Sequence, residues 1–322
     1  MQLKIFTYHD PVPELLEDGL RFLSRNNYPV LSAEELYESV IREEPGLGKT
    51  ALGLTFDDCR KSLWYDVFPL LKKYNCKATA FFVPAFAENQ TAGYCAWEEV
   101  QEMKESGLVD FQNHSMEHEL VFRTSRIIDF QRPDKQGQPV YREWGLWEEH
   151  PPWGMPMLEY GWKGSVSKEF TVADSLVDKC IELVESSGGA DFFRKRNWKG
   201  KLDRICAEAG AGAIRAGGDF SGREDYIRKS IMESQRMIKK KLGIAPRFFA
   251  PPAHIYDELV VKILKEEGFT GLFNGSEKTT KDRDGFVFFG RLRTGAPRRL
   301  NGIGKEGLFK RIYRRLKYEY FA

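Results

Sequence analysis

Leu52-Gly53-Leu54-Thr55-Phe56-Asp57-Asp58 is the stretch on which the reading of this chain turns. A short apolar run with β-branched Thr55 and aromatic Phe56 reads as a buried strand. It stops at two adjacent carboxylates. Where a buried strand surfaces, two such groups are costly unless a metal, a cation or hydrogen-bond donors compensate them. A plainer alternative is a strand running into a helix, with Asp58 capping a helix that starts near Arg60.

A second stretch weighs against the plain alternative. In Asp110-Phe111-Gln112-Asn113-His114-Ser115-Met116-Glu117-His118, two of the chain's 5 histidines stand four apart. On one helical turn they face the same side, a spacing suited to holding a metal. Together with Asp58 they make a two-His, one-carboxylate set that leaves open positions for water and substrate.

The surrounding pattern alternates strands and helices. Strands are expected at Leu3 to Tyr8, Lys77 to Val83, Leu108 to Phe111, Arg247 to Ala250, Thr270 to Phe273 and Phe286 to Phe289. Helices are expected at Glu14 to Arg25, at Ser62 to Tyr74, at Trp97 to Ser106 and at Glu258 to Glu267. Another follows Ser32, which forms a capping box with Glu35. This rhythm implies a parallel sheet, in which ligand sites gather at the carboxyl ends of the strands. Asp57, Asp58, His114 and His118 all fall just past such ends. Gly46-Leu47-Gly48-Lys49-Thr50 imitates a phosphate loop, but Glu43 stands where a Gly is needed and the segment precedes a strand.

Three segments carry a family resemblance. Thr55-Phe56-Asp57-Asp58, His114-Ser115-x-x-His118 and, more loosely, Phe249-Ala250-Pro251-Pro252-Ala253-His254 resemble the first three motifs of the polysaccharide deacetylases, the NodB-homology carbohydrate esterases. The resemblance covers about residues 1–120 and 225–295. It implies an α/β fold, a distorted (β/α) barrel of the polysaccharide deacetylase type with a large insertion. The barrel is expected over 1–120 and 221–322, with 121–220 as an insertion lobe over the active site.

The resemblance also implies chemistry: a metal-dependent N-deacetylase removing acetyl from an N-acetylated amino sugar in a glycan or glycan precursor. A divalent metal, zinc by first choice, falls to Asp58, His114 and His118, and Asp57 is the general base. The backbone N–H of Ala253 is the oxyanion donor, because Pro252 has none. Family members draw a general acid from a late His, and no His follows His254. Thr7-Tyr8-His9-Asp10 resembles a permuted subgroup whose first strand supplies it, which points to His9. The third motif has Ala250 where an Arg is expected, leaving Arg291 or Arg293 to orient Asp57 from a neighbouring strand. Cys59 and His254 each replace a Gly, and His254 is expected to touch substrate. Two rival readings are hydrolysis of another amide on the same fold and a metal-free carbohydrate-binding protein.

Composition bounds the remainder. The 322 residues are 42% hydrophobic and 30% charged, with no apolar run long enough to cross a bilayer. The N-terminus has no signal-peptide core, and the 5 cysteines contain no CxxC, so free thiols and a cytoplasmic location are expected. The net charge of +2 hides ten Lys or Arg against two Glu from Gly290 to Ala322. That basic tail, with a helix at Gly307 to Tyr320, suggests peripheral contact with anionic membrane; no nucleic-acid partner is expected. Within the insertion, Trp144, Trp147, Trp153 and Trp162 are read chiefly as the core of a small lobe, with stacking on sugar faces as the alternative. His150 is read as a surface residue, and Gly210 to Gly218 as a flexible loop over the site.

Overall fold

The computed structural model describes residues 2–42, 50–133, 152–210 and 212–293. The basic C-terminal helix, Trp144, Trp147 and His150 lie outside these residues. The strands in chain order are β1 (Gln2–Tyr8), β2 (Val30–Leu31), β3 (Thr50–Asp57), β4 (Ala78–Phe82), β5 (Val109–Asn113), β6 (Leu120–Phe130) and β7 (Pro156–Trp162). They continue as β8 (Lys168–Val172), β9 (Ile214–Asp219), β10 (Phe248–Phe249), β11 (Gly271–Asn274), β12 (Thr280–Lys281) and β13 (Val287–Arg293).

Seven parallel strands close on themselves in the order β1-β3-β4-β5-β10-β11-β13, and β13 pairs back onto β1. The expected (β/α) barrel is therefore present, and its first and last strands are neighbours. The two-residue alternation of a strand sorts its side chains. Leu52, Leu54 and Phe56 of β3 point outward and pack under helix α1 (Pro13–Arg25) through Leu16 and Leu20. Gly53, Thr55 and Asp57 take the inward face. Inside, Ile5, Phe81, Phe248, Phe273, Val287 and Phe289 form the barrel's own core.

Helix α2 (Ala33–Ile41) shuts the amino-terminal end of the barrel. Ser32 caps it, with the reciprocal Glu35 bond of a capping box, as the sequence predicts. Its Ala33 and Leu36 belong to the interior cluster, and the Ala33 N–H donates to Thr79 Oγ1 at 2.9 Å. Gly53 makes room for this plug: a Cβ there would lie 2.8 Å from Leu36 Cδ1.

Chain contacts divide the molecule into two compact units. The barrel comprises Met1–Glu117, Lys229–His254 and the chain from Val261; the second comprises His118–Arg228 and Ile255–Val260. The second unit has a four-stranded antiparallel sheet, β7-β6-β8-β9. Its core gathers Phe130 from the sheet, Leu176, Cys180 and Val184 from the helix Asp174–Ser186, Phe192 from the short helix Gly189–Arg194 and Leu202 from the helix Trp198–Glu208. Trp162 is fully buried and Trp153 packs on this core. Trp162 is thus a core residue, and Trp153 is partly buried against the lobe. The expectation of a flexible loop at Gly210 to Gly218 fails over most of its length. Ile214–Asp219 is β9, which pairs with β8 because two extended segments satisfy each other's backbone groups whatever their glycine content. The five cysteines are free. Among the described residues, no helix is long and apolar enough to cross a membrane.

Candidate active site

The inward parity of three strands brings the first charged group and its partners together. Asp57 ends β3 facing the barrel interior. Arg291 stands two residues above Phe289 on the inward face of β13, and Thr7 stands two above Ile5 on β1. Arg291 Nη1 donates to Asp57 Oδ1 at 2.6 Å, and the Thr7 hydroxyl lies 3.4 Å from Asp57 Oδ2. Both charged side chains are buried, at 0% and 2% exposure. The guanidinium is held on every side: Nη1 also reaches Thr55 Oγ1 at 3.4 Å, Nε the Asn274 carbonyl at 3.4 Å, and Nη2 His254 Nδ1 at 2.7 Å. Its carbon sits 5.2 Å from the centre of the Phe81 ring. Burial by itself would push the Asp57 carboxyl up. The charge of Arg291 outweighs that and holds it well below the usual carboxylate range.

Asp58 turns away from the strand direction. Its φ of 66° and the 56° of Cys59 are left-handed, so Asp58 lacks the extended backbone of a helix cap. The capping alternative is not what the chain does. Asp58 Oδ2 instead receives Arg60 Nη2 at 3.0 Å, and Oδ1 lies 3.3 Å from His114 Nε2. Arg60 is buried, reaches Asp10 at 3.3 Å and lies over the Tyr94 ring. His9 Nε2 is 3.9 Å from Asp58 Oδ2, and the His9 side chain is 48% exposed.

The two-histidine segment corrects an expectation about conformation. It is not a helical turn. Ser115 at φ 68° and His118 at φ 52° break any helix, and the segment is a loop between β5 and β6. Asn113 shapes it, accepting from the Ser115 N–H at 2.9 Å and donating to the Ile231 carbonyl at 2.9 Å. The imidazoles converge nonetheless. One ligand atom from each of Asp58, His114 and His118 lies within 4.8 Å of the others, and all three residues are buried.

This set fits a divalent first-row metal on its donor chemistry. The fit extends to the support around it: His114 Nδ1 meets the Ala250 carbonyl at 2.6 Å. Only an N–H can serve a carbonyl, so the Nε2 lone pair of the neutral ring is left facing Asp58.

In the third motif, Ala253 and His254 both have left-handed backbone, with φ of 56° and 60°. The His254 N–H donates to the Pro251 carbonyl at 2.9 Å. The Arg needed beside Asp57 is Arg291; Arg293 ends β13, and its side chain lies outside what the structure describes. Sequence reasoning missed Thr7, Asn113 and Arg60. The parity of Ile5, Thr7 and His9 along β1 is a signal that could have found Thr7; Asn113 and Arg60 carry none.

A closed parallel barrel with a buried Asp-His-His cluster and a second aspartate beside it defines a hydrolase-type site at the carboxyl ends of the strands. Residues 45–137 match the family model of polysaccharide deacetylase, and residues 219–294 match that of glycosyl hydrolase family 57. A putative polysaccharide deacetylase of Bacillus subtilis (strain 168), YxkH, is 28% identical over 102 residues, covering 32% of this chain and 35% of that protein. The chain thus aligns with about a third of that relative's length.

Among solved structures, the Streptococcus pyogenes deacetylase PplD in complex with acetate has a TM-score of 0.58 at 17% identity, covering 95% of this chain and 99% of that one. A de-N-acetylase from Aggregatibacter actinomycetemcomitans has a TM-score of 0.56 at 17% identity, covering 97% and 99%. IcaB from Ammonifex degensii has 0.55 at 17%, covering 91% and 92%. At such identities these likenesses speak to the fold. With the family model they bear out the resemblance drawn from the motifs: residues 45–137 are similar to the polysaccharide deacetylases, and the fold is that of solved deacetylases.

Proposed function

We propose that the chain is a metal-dependent N-deacetylase acting on an N-acetylated amino sugar within a glycan or its precursor. One observation carries the reading: the buried Asp58-His114-His118 cluster stands beside a separate carboxylate, Asp57, whose ionised form Arg291 secures. Asp58, His114 and His118 would hold a divalent metal such as zinc, which in such a site polarises a carbonyl and acidifies water.

The chain's own residues supply the proton handling. Asp57 stays ionised at neutral pH. With Oδ1 taken by Arg291, its Oδ2 takes the proton of the attacking water. On the third-motif turn the His254 N–H is already given to Pro251 and Pro252 has none, so the Ala253 N–H is the donor for the oxyanion. His9, half exposed and beside Asp58, gives its proton to the departing amine. Each of these roles places a specific group at a specific atom.

The test is acetate release from a panel of N-acetylated saccharides, run beside metal analysis of the purified protein. Release that disappears with the metal and returns on adding it supports the proposal. Stoichiometric metal with no acetate from any saccharide, but turnover of other amides, would assign the fold to different hydrolysis. Saccharide binding with neither metal nor turnover would make it a binding protein.

A further inference from the structure

His254 is a residue out of place. It sits at φ 60°, beside Ala253 at φ 56°, in backbone that glycine adopts freely and a side chain does not. Strain of this kind persists where something nearby over-determines it. Here the imidazole reaches the guanidinium of Arg291, with 2.7 Å between Nδ1 and Nη2. A guanidinium has donors and no acceptor, so Nδ1 is the acceptor. The ring is therefore neutral while the contact stands, and its proton is on Nε2.

We propose that His254 is a positioning residue that fixes the guanidinium of Arg291 and, through it, the carboxylate of Asp57. Arg291 lies on β13 with Nη1 committed to Asp57 and Thr55 and Nε to the Asn274 carbonyl. His254 supplies the acceptor for Nη2 from the β10 side of the barrel. Without it a buried N–H of a fixed planar fork loses its partner, and the whole fork rotates to find another. Two short loops are thereby tied to one base. The kinetic consequence rests on the deacetylase reading above; the contact itself does not.

The experiment compares H254G and H254Q with the parent protein. Imidazole nitrogen NMR of the intact chain, with the His254 signals identified by their loss in H254Q, should show Nδ1 unprotonated and Nε2 bearing the proton. The Arg291 Nε–H signal should be protected from exchange in the parent and in H254Q, whose amide oxygen can accept, and exposed in H254G. Glycine relieves the left-handed strain, so the apparent Tm of H254G should stay within about 3 °C of the parent. Its kcat should nevertheless fall about tenfold with KM little changed, while H254Q recovers to within about threefold.

A proton on Nδ1, or equal Arg291 protection in all three proteins, would overturn the proposal. So would H254G turning over at the parental kcat. If the parent releases no acetate at all, the functional reading fails, while the tautomer and the arginine signal still decide whether His254 holds Arg291.

Discussion

Arg291 and Asp57 stand 234 positions apart in the chain and 2.6 Å apart in space. Their strands, β13 and β3, flank β1 on either side, so the pair spans the seam at which the barrel closes. An ion pair buried this deeply is costly to break from one side only, because the survivor is left charged and dry. R291M is expected to destabilise the protein by about 3–5 kcal/mol in urea unfolding, and R291M/D57N to recover most of that. The sign with pH follows from the depressed Asp57 carboxyl. The pair's contribution is complete above the ordinary carboxylate pKa and is lost as pH falls through the lower folded value.

Metal binding can be read without turnover. Zinc added in excess should raise the apparent Tm of the parent by mass action, and should leave that of H114A or D58N unmoved. Equal shifts in all three would place the metal elsewhere.

Roles at the site separate by substitution. D57N should abolish acetate release while metal content stays stoichiometric. H9A should slow release by about 10²- to 10⁴-fold, the usual worth of a positioned proton donor. A parental rate in H9A would move the acid to another group.

Asp110 makes a distinct prediction about stability. It faces inward near the start of α2. Burial pushes its carboxyl up to about 6, and neighbouring Glu34 and Glu35 add to the effect, while the bond from Gln112 opposes it. Gln112 donates to Oδ1 at 2.8 Å, and Oδ2 is buried without a partner. A raised folded pKa favours folding below about pH 4, and that benefit is lost as pH climbs to about 6. D110N should therefore match the parent in acid and exceed it by on the order of 2 kcal/mol above pH 6. Unfolding curves at pH 4 and pH 7.5 check it.

The floor of the barrel gives a packing test. G53A drives a methyl against Leu36 and should cost about 1–3 kcal/mol. The double variant G53A/L36A should recover part of that, because the crowding atom is gone.

Much of this was legible before any coordinates. The run from Leu52 to Asp58, with β-branched Thr55 and aromatic Phe56, reads as a buried strand, and its period-two pattern aims Asp57 inward. The position of His9 near Asp58 was reachable because closure makes the first and last strands neighbours. What stayed hidden depended on backbone that side-chain spacing does not report. A four-residue gap between histidines fits a helical turn and a left-handed loop equally well, and only Asn113, bonded to Ser115 and Ile231, decides between them. The choice between Arg291 and Arg293 could not be made from sequence, because both share one parity on β13. Glycines at 210–218 looked like slack, yet β8 was waiting as a partner.

The helix across the amino-terminal end has one last effect. With that end stoppered and the middle filled by phenyl rings, the barrel is a well and not a tunnel. Whatever reacts at Asp57 must arrive and depart through the same opening, so a departing product has to clear the way before the next molecule can descend.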